Sequence, residues 1–241
     1  MVPKQVGCSP EQLAILRWTA GLGAVTADAC AQYLDITLAS ARSRLSAAAR
    51  AGLLSRRRVL AGEPPLYAIT GAGLRVAGVR GLEPCRVSAA NAPHALACAA
   101  VAAALARAYP DHRVMGEREL RREEREAGEP LASARLSASA LHRPDLVLWP
   151  HGPHERLPVA VEVELSVKAP ARLLEICRAW ARCRCVAGTL YVAGEEVRRP
   201  LARAIDRAGA GERVVLVGFA ALPRTERSAR DAFASTVPGD A

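Results

Sequence analysis

The stretch TLASARSRLSAAARAGLLSRRRVLAGEPPLYAIT, residues 37–70, changes its period once, and that change decides the fold of the first third of the chain. In its first half Leu38, Ala41, Leu45 and Ala48 recur at three and four residues, the narrow apolar stripe of a helix that runs to about Arg50. Gly52 closes that helix. The residues after it read as two apolar strands around a turn holding Gly62, Pro64 and Pro65. A helix delivered directly into a β-hairpin is predicted.

The face of the helix opposite the stripe shows Ser40, Ser43, Arg44 and Ala47, flanked by Arg42, Ser46 and Arg50, with no acid among them. Small polar side chains with arginine let a helix backbone come close to the major groove of DNA, where bulky residues hold it away. A merely solvated helix would more often carry Glu and Lys. Arg56, Arg57 and Arg58 lie on the first hairpin strand, where they can grip phosphates, although such a triplet alone also suits a solvated edge strand.

Two further helices precede this unit. Ser9 caps PEQLAILRWTAGL, residues 10–22, and Thr26 caps a second helix in which Ala29, Cys30 and Leu34 face inward. After the hairpin, Tyr67, Ile69, Thr70 and Gly73 form a Y-x-I-T-x-x-G string, with Thr70 capping a short helix. In order, spacing and this string, residues 9–80 resemble the winged-helix repressors. The resemblance implies a winged helix-turn-helix that binds double-stranded DNA.

Composition agrees with such a partner. The 241 residues carry a net charge of +9, and residues 1–80 hold ten Arg or Lys against four Asp or Glu. That excess displaces counterions from a polyanion, with an anionic membrane surface as the competing partner. No run of 18 apolar residues occurs and the N-terminus lacks a signal-like apolar stretch, so neither export nor membrane spanning is expected and the cytoplasm is the default location. The seven cysteines are scattered and set among apolar neighbours, and they read as reduced, mostly buried thiols. Cys177, Cys183 and Cys185 with His151 and His154 invite a zinc site, but the paired C-x-x-C spacing of structural zinc is missing.

Residues 81–93, with Pro84 and Pro93, read as a linker. Residues 94–222 then read as an alanine-rich helix from His94 to Tyr109, a short strand around Val114, a charged helix, two strands in LHRPDLVLWP and LPVAVEVELSVK joined by a turn, and an alternation of helix and strand. This predicts an α/β (α+β) domain with a mixed sheet, followed by a flexible tail over 223–241. The alanine-rich helix can pack in its own core or against a copy of itself, so a homodimer stays open.

Candidate chemistry lies on the two central strands. Asp145 follows Pro144 at the start of one, and Glu162 and Glu164 share one side of the next while Val161, Val163 and Leu165 take the other. Carboxylates in so apolar a strand need a partner, and Mg²⁺ is one. Lys168 is one of only two lysines, with Lys4, in a chain otherwise dependent on arginine. The alternative is that Glu162 and Glu164 face solvent on a half-exposed sheet, paired with arginines, and that the fold has no active site.

Pro144, Asp145 and Glu162, with Glu164 where lysine is usual, resemble the PD-(D/E)xK nuclease superfamily. The resemblance implies Asp145 and Glu162 as Mg²⁺ ligands for phosphodiester hydrolysis, Glu164 or Lys168 as the group that orients water, and Glu117 or Glu119 as an auxiliary acid. Across nearly its whole length, through GERELRRE, RPDLVLW and VAVEVELSVK, the chain resembles the bacterial plasmid replication-relaxation family, which implies a role in plasmid replication or DNA relaxation.

Overall fold

The structure, a computed structural model, describes residues 8–151 and 157–222. Lys4, His154 and the expected turn around it, and the expected tail at 223–241 lie outside those residues. The chain divides into two compact units, Met1–Ala99 and Ala100–Ala241. Together they form a mixed α/β chain with eight α-helices among the described residues.

The first unit runs α1 (Pro10–Leu22), β1 (Ala24–Val25), α2 (Ala27–Leu34), α3 (Leu38–Arg50), β2 (Leu54–Arg57), β3 (Leu66–Ile69) and α4 (Gly71–Ala77). Hydroxyl side chains start all four helices. Ser9 accepts from the Gln12 N–H at 3.2 Å, Thr26 from Ala29 at 3.1 Å, Thr37 from Ser40 at 3.2 Å and Thr70 from Gly73 at 3.0 Å. Each such cap contributes about 1 kcal/mol. Between α2 and α3 the chain turns through Asp35 at φ 52°, a left-handed conformation in which Asp is among the better tolerated residues.

The hairpin β2–β3 is joined by β1, giving a three-stranded antiparallel sheet in the order β1-β3-β2. Two residues are too few to show a period, so β1 carries no signal in the sequence. The first hairpin strand ends at Arg57, so Arg58 stands just beyond it rather than on it. Ile15, Leu16, Leu45, Leu66 and Ile69 are completely or almost completely buried and form the apolar centre.

The Y-x-I-T-x-x-G string has a packing basis. The Thr70 hydroxyl reaches the carbonyls of Gly52 at 2.7 Å and Leu53 at 2.9 Å, tying the end of α3 to the start of α4. A Cβ on Gly73 would lie 2.1 Å from the Leu53 carbonyl oxygen, so α4 packs this closely only without a side chain there.

α5 (Ala92–Ala108) contains the division between the units and begins two residues earlier than expected, inside the supposed linker. Its first residue is buried in a cluster with Ala24, Leu66 and Ala68. The second unit continues with β4 (His112–Gly116), α6 (Glu117–Ala127), β5 (Ala134–Arg135), β6 (Leu141–His142), β7 (Leu146–Pro150), β8 (Val159–Glu164), α7 (Pro170–Arg182), β9 (Gly188–Ala193), α8 (Glu195–Ala208) and β10 (Val214–Gly218).

Five strands form one mixed sheet in the order β10-β9-β8-β7-β4. β4, β7 and β8 pair antiparallel, whereas β8, β9 and β10 run parallel, linked by α7 and α8. A separate ribbon, β5–β6, has no counterpart in the sequence reading, again because two-residue strands leave no pattern. Met115, Leu120, Leu173, Trp180 and Leu201 are among the residues that fill the core against the sheet.

Replacing Gly73 by Ala forces the Leu53 carbonyl to move and should destabilise the first unit by about 1–3 kcal/mol. Gly71→Ala, whose Cβ meets nothing nearer than 3.6 Å, is the control. Thermal melts followed by circular dichroism should show a lowered transition for Gly73→Ala alone.

Candidate functional site

β8 is the middle strand of five, and all of its residues except the first are buried. A central strand bordered by a parallel neighbour is normally apolar throughout. β8 instead carries Glu162 and Glu164, at 4% and 5% exposure. The half-exposed sheet is therefore corrected: these carboxylates are inside, because α7 covers the face they share with Ala160.

Glu162 is held by two donors. Its Oε1 lies 2.6 Å from His142 Nε2 and 3.1 Å from Trp180 Nε1. With Glu162 ionised, a hydrogen bond to the imidazole requires the proton on Nε2, since a carboxylate only accepts. The two donor rings meet edge to face with centroids 5.8 Å apart. The charge of Glu162 is felt nearby: burial pushes the Tyr191 hydroxyl well up, with Glu162 adding to it, and burial followed by Glu162 raises the Cys177 thiol to about 11.

Asp145 sits just before β7. The register pairs Leu146 with Val161, and one further step sets Asp145 opposite Glu162. Its Oδ2 accepts the Val163 N–H at 2.7 Å, so the side chain occupies a backbone position beyond the end of the β7–β8 ladder. Glu164 pairs with Lys168, whose side chain reaches inward from a partly exposed position. The donors at Asp145 and Glu162 are all hard oxygens, the set that suits Mg²⁺. The Oε1 bonds of Glu162 leave its other oxygen outside those two contacts.

Glu117 starts α6, and its backbone N–H donates to the Asp145 carbonyl at 2.9 Å while its carboxylate pairs with Arg121. Glu119 pairs with Arg113 at 2.8 Å. Sequence reasoning missed His142 and Trp180. His142 stands three residues before Asp145 in LHRPD, but no periodicity signals that a short ribbon turns it onto Glu162.

A third buried acid lies earlier in the chain. Glu124 of α6, 4% exposed, accepts from Arg143 Nε at 2.8 Å and from the Leu131 N–H at 3.1 Å. Arg121, Arg125, Arg135 and Arg143 line an open groove of about 600 Å³ beside it, together with Glu124 and Glu129.

In the first unit Arg42, Ser43 and Arg50 of α3 are exposed, as are Arg56, Arg57 and Arg58. Ser40 and Arg44 are half-buried instead of lying openly on the outer face. The Ser40 hydroxyl takes a hydrogen bond from Thr37 at 2.9 Å. Glu11 of α1 is held below the usual carboxylate range by the Ser9 hydroxyl, with Arg44 a lesser contributor. Arg42 and Ser46 share a cleft of about 670 Å³ with Arg56, Arg58 and Tyr67, and Asp28 and Glu63 lie at its edge.

The chain matches no protein-family model and no curated protein. Among the described residues no helix is long and apolar enough to cross a membrane.

Removing only the indole N–H tests the burial of Glu162. Trp180→Phe should cost about 1–3 kcal/mol, as expected for a buried carboxylate left short of a donor. Urea unfolding should register this as a lower midpoint with an unchanged slope.

Proposed function

We propose that the protein is a cytoplasmic DNA-binding protein whose first unit is a winged helix-turn-helix, with α3 as the recognition helix and β2–β3 as the wing. The observation that carries this reading is the shared cleft, in which Arg42 of α3 faces Arg56 and Arg58 of the hairpin. A helix that presents Arg42, Ser43 and Arg50 suits the major groove, and the hairpin arginines suit the flanking phosphates.

The second unit is read as a PD-(D/E)xK nuclease-like domain, and the whole chain as similar to plasmid replication-relaxation proteins. Support comes from Glu162, a carboxylate kept inside the sheet directly across from Asp145. Asp145 and Glu162 would hold Mg²⁺, which supplies charge to polarise a phosphate and acidify water. Lys168, fixed by Glu164, offers a compact positive charge at the same strand end, and the Arg121 to Arg143 groove offers further contacts for a DNA backbone.

One observation favours a second reading, a non-catalytic regulator or replication accessory factor on a degenerate nuclease fold. Glu164 occupies the position where lysine is usual, and both glutamates already have protein partners: His142 and Trp180 for one, Lys168 for the other.

If about six phosphates are neutralised, affinity for duplex DNA should fall about a thousandfold between 50 and 200 mM salt. Replacing Arg56, Arg57 and Arg58 together by Ala should reduce the salt slope by about 2–3. A flat response in the unaltered protein would sink the DNA-binding reading. Supercoiled plasmid incubated with Mg²⁺, Mn²⁺ or EDTA separates the two readings of the second unit. Metal-dependent nicking that Asp145→Ala abolishes without loss of affinity establishes a nuclease, whereas retarded but intact plasmid throughout establishes the regulator.

A further inference from the structure

Cys183 and Cys185 follow α7 with Arg184 between them, and their sulfurs lie 3.2 Å apart. Both sulfurs also approach the Ser133 carbonyl, at 3.8 Å and 3.6 Å. Arg213 fixes the segment from the other side, donating to the carbonyls of Cys183 at 2.6 Å and Val186 at 2.7 Å. The two thiols are therefore held side by side in a braced turn. To reach a disulfide they need close by only about 1.1 Å, within what side-chain rotation supplies.

The pair differs electronically from the other buried cysteines. A hydrogen bond from Cys185 lowers the Cys183 thiol against the opposing effect of burial, with the Cys185 and Val186 N–H groups and Arg213 assisting. Cys185 is pushed up by that same hydrogen bond and by burial. Cys30 and Cys177, by contrast, are raised to about 11 by burial. Cys183 is buried, yet Cys185 is partly exposed and gives a small solute access to the pair.

We propose that Cys183 and Cys185 form a thiol oxidation site whose substrate is a small hydroperoxide such as hydrogen peroxide. The Cys183 thiolate attacks a peroxide oxygen, the O–O bond breaks, and hydroxide leaves to become water, so Cys183 becomes a sulfenic acid. The Cys185 sulfur then attacks Cys183, the S–O bond breaks, and the departing oxygen leaves as a second water carrying the Cys185 proton. Two thiols and one hydrogen peroxide give one disulfide and two waters; the sulfurs together lose two electrons and the peroxide gains them. A thiol reductant reverses the change.

The C-x-C spacing that counted against zinc is what places two sulfurs on one turn.

The test treats the full-length protein with a small excess of hydrogen peroxide, blocks remaining thiols by alkylation, and digests it with trypsin without reduction. Arg182 and Arg184 flank Cys183, so in reduced protein Cys183 and Cys185 separate into different alkylated peptides. After oxidation they should stay joined, unalkylated and two hydrogens lighter, and dithiothreitol should restore them. Loss of these two thiols should run at least roughly tenfold faster than loss of Cys30 or Cys177, following thiolate content. In Cys185→Ser, Cys183 should stop as a sulfenic acid that dimedone captures, whereas the unaltered protein gives no adduct. Two singly alkylated peptides after peroxide treatment overturn the proposal, as does a disulfide from either residue to another cysteine. The mass readout on the unaltered protein decides the matter even where a variant fails to fold.

Discussion

A carboxylate in the middle of a sheet is costly unless hydrogen-bond donors meet it, and β8 carries two. Much of the second unit is arranged by that requirement. Glu162 needs Trp180 from α7 and His142 from the β5–β6 ribbon, so one side chain ties the sheet to a helix and to a ribbon. β7 pairs with β8 only from Val159 to Val161, which leaves the Val163 N–H beyond the ladder and open to the Asp145 carboxylate. The two acids are brought opposite each other by register, and each is fixed by a different kind of donor.

The same ribbon handles a second buried acid. His142 and Arg143 are consecutive in an extended segment, so their side chains point to opposite sides. One meets Glu162 and the other meets Glu124. LHRPD thus places a base on each of two buried acids before delivering Asp145 to the strand end. Removing one member of such a pair leaves an uncompensated charge, so the ribbon is bound to both sides more firmly than two-residue strands are by their ladder alone.

The helices of the first unit are legible in the sequence because Ser9, Thr26, Thr37 and Thr70 each stand where a cap accepts a backbone N–H, and capping is a local signal. The periods of β7, β8 and β9 are legible for the same local reason. What local patterns cannot carry is contact between distant segments. Alternation in VAVEVE shows that Glu162 and Glu164 share a face, but whether that face meets water depends on α7 folding over it. His142 has no signal because its importance rests on a partner twenty residues away.

The charges of the second unit argue for where a polyanion would be gathered. Glu162 and Glu164 are met at close range by a histidine and a lysine, and Glu124 by an arginine, so these buried acids project little unbalanced field. The outer groove holds Arg121, Arg125, Arg135 and Arg143 with Glu124 and Glu129; Arg143 is paired with Glu124 and Arg121 with Glu117, so among the described residues Arg125 and Arg135 are its cations outside an ion pair. α6 joins the two regions: its first N–H bonds to the Asp145 carbonyl and its last turn bears Arg125. At 1.5 Å per residue the eight positions between Glu117 and Arg125 span about 12 Å, roughly three to four phosphates along one strand of a duplex. On the proposed DNA-binding reading, a backbone resting in the groove would therefore run within a few nucleotides of Asp145 and Glu162.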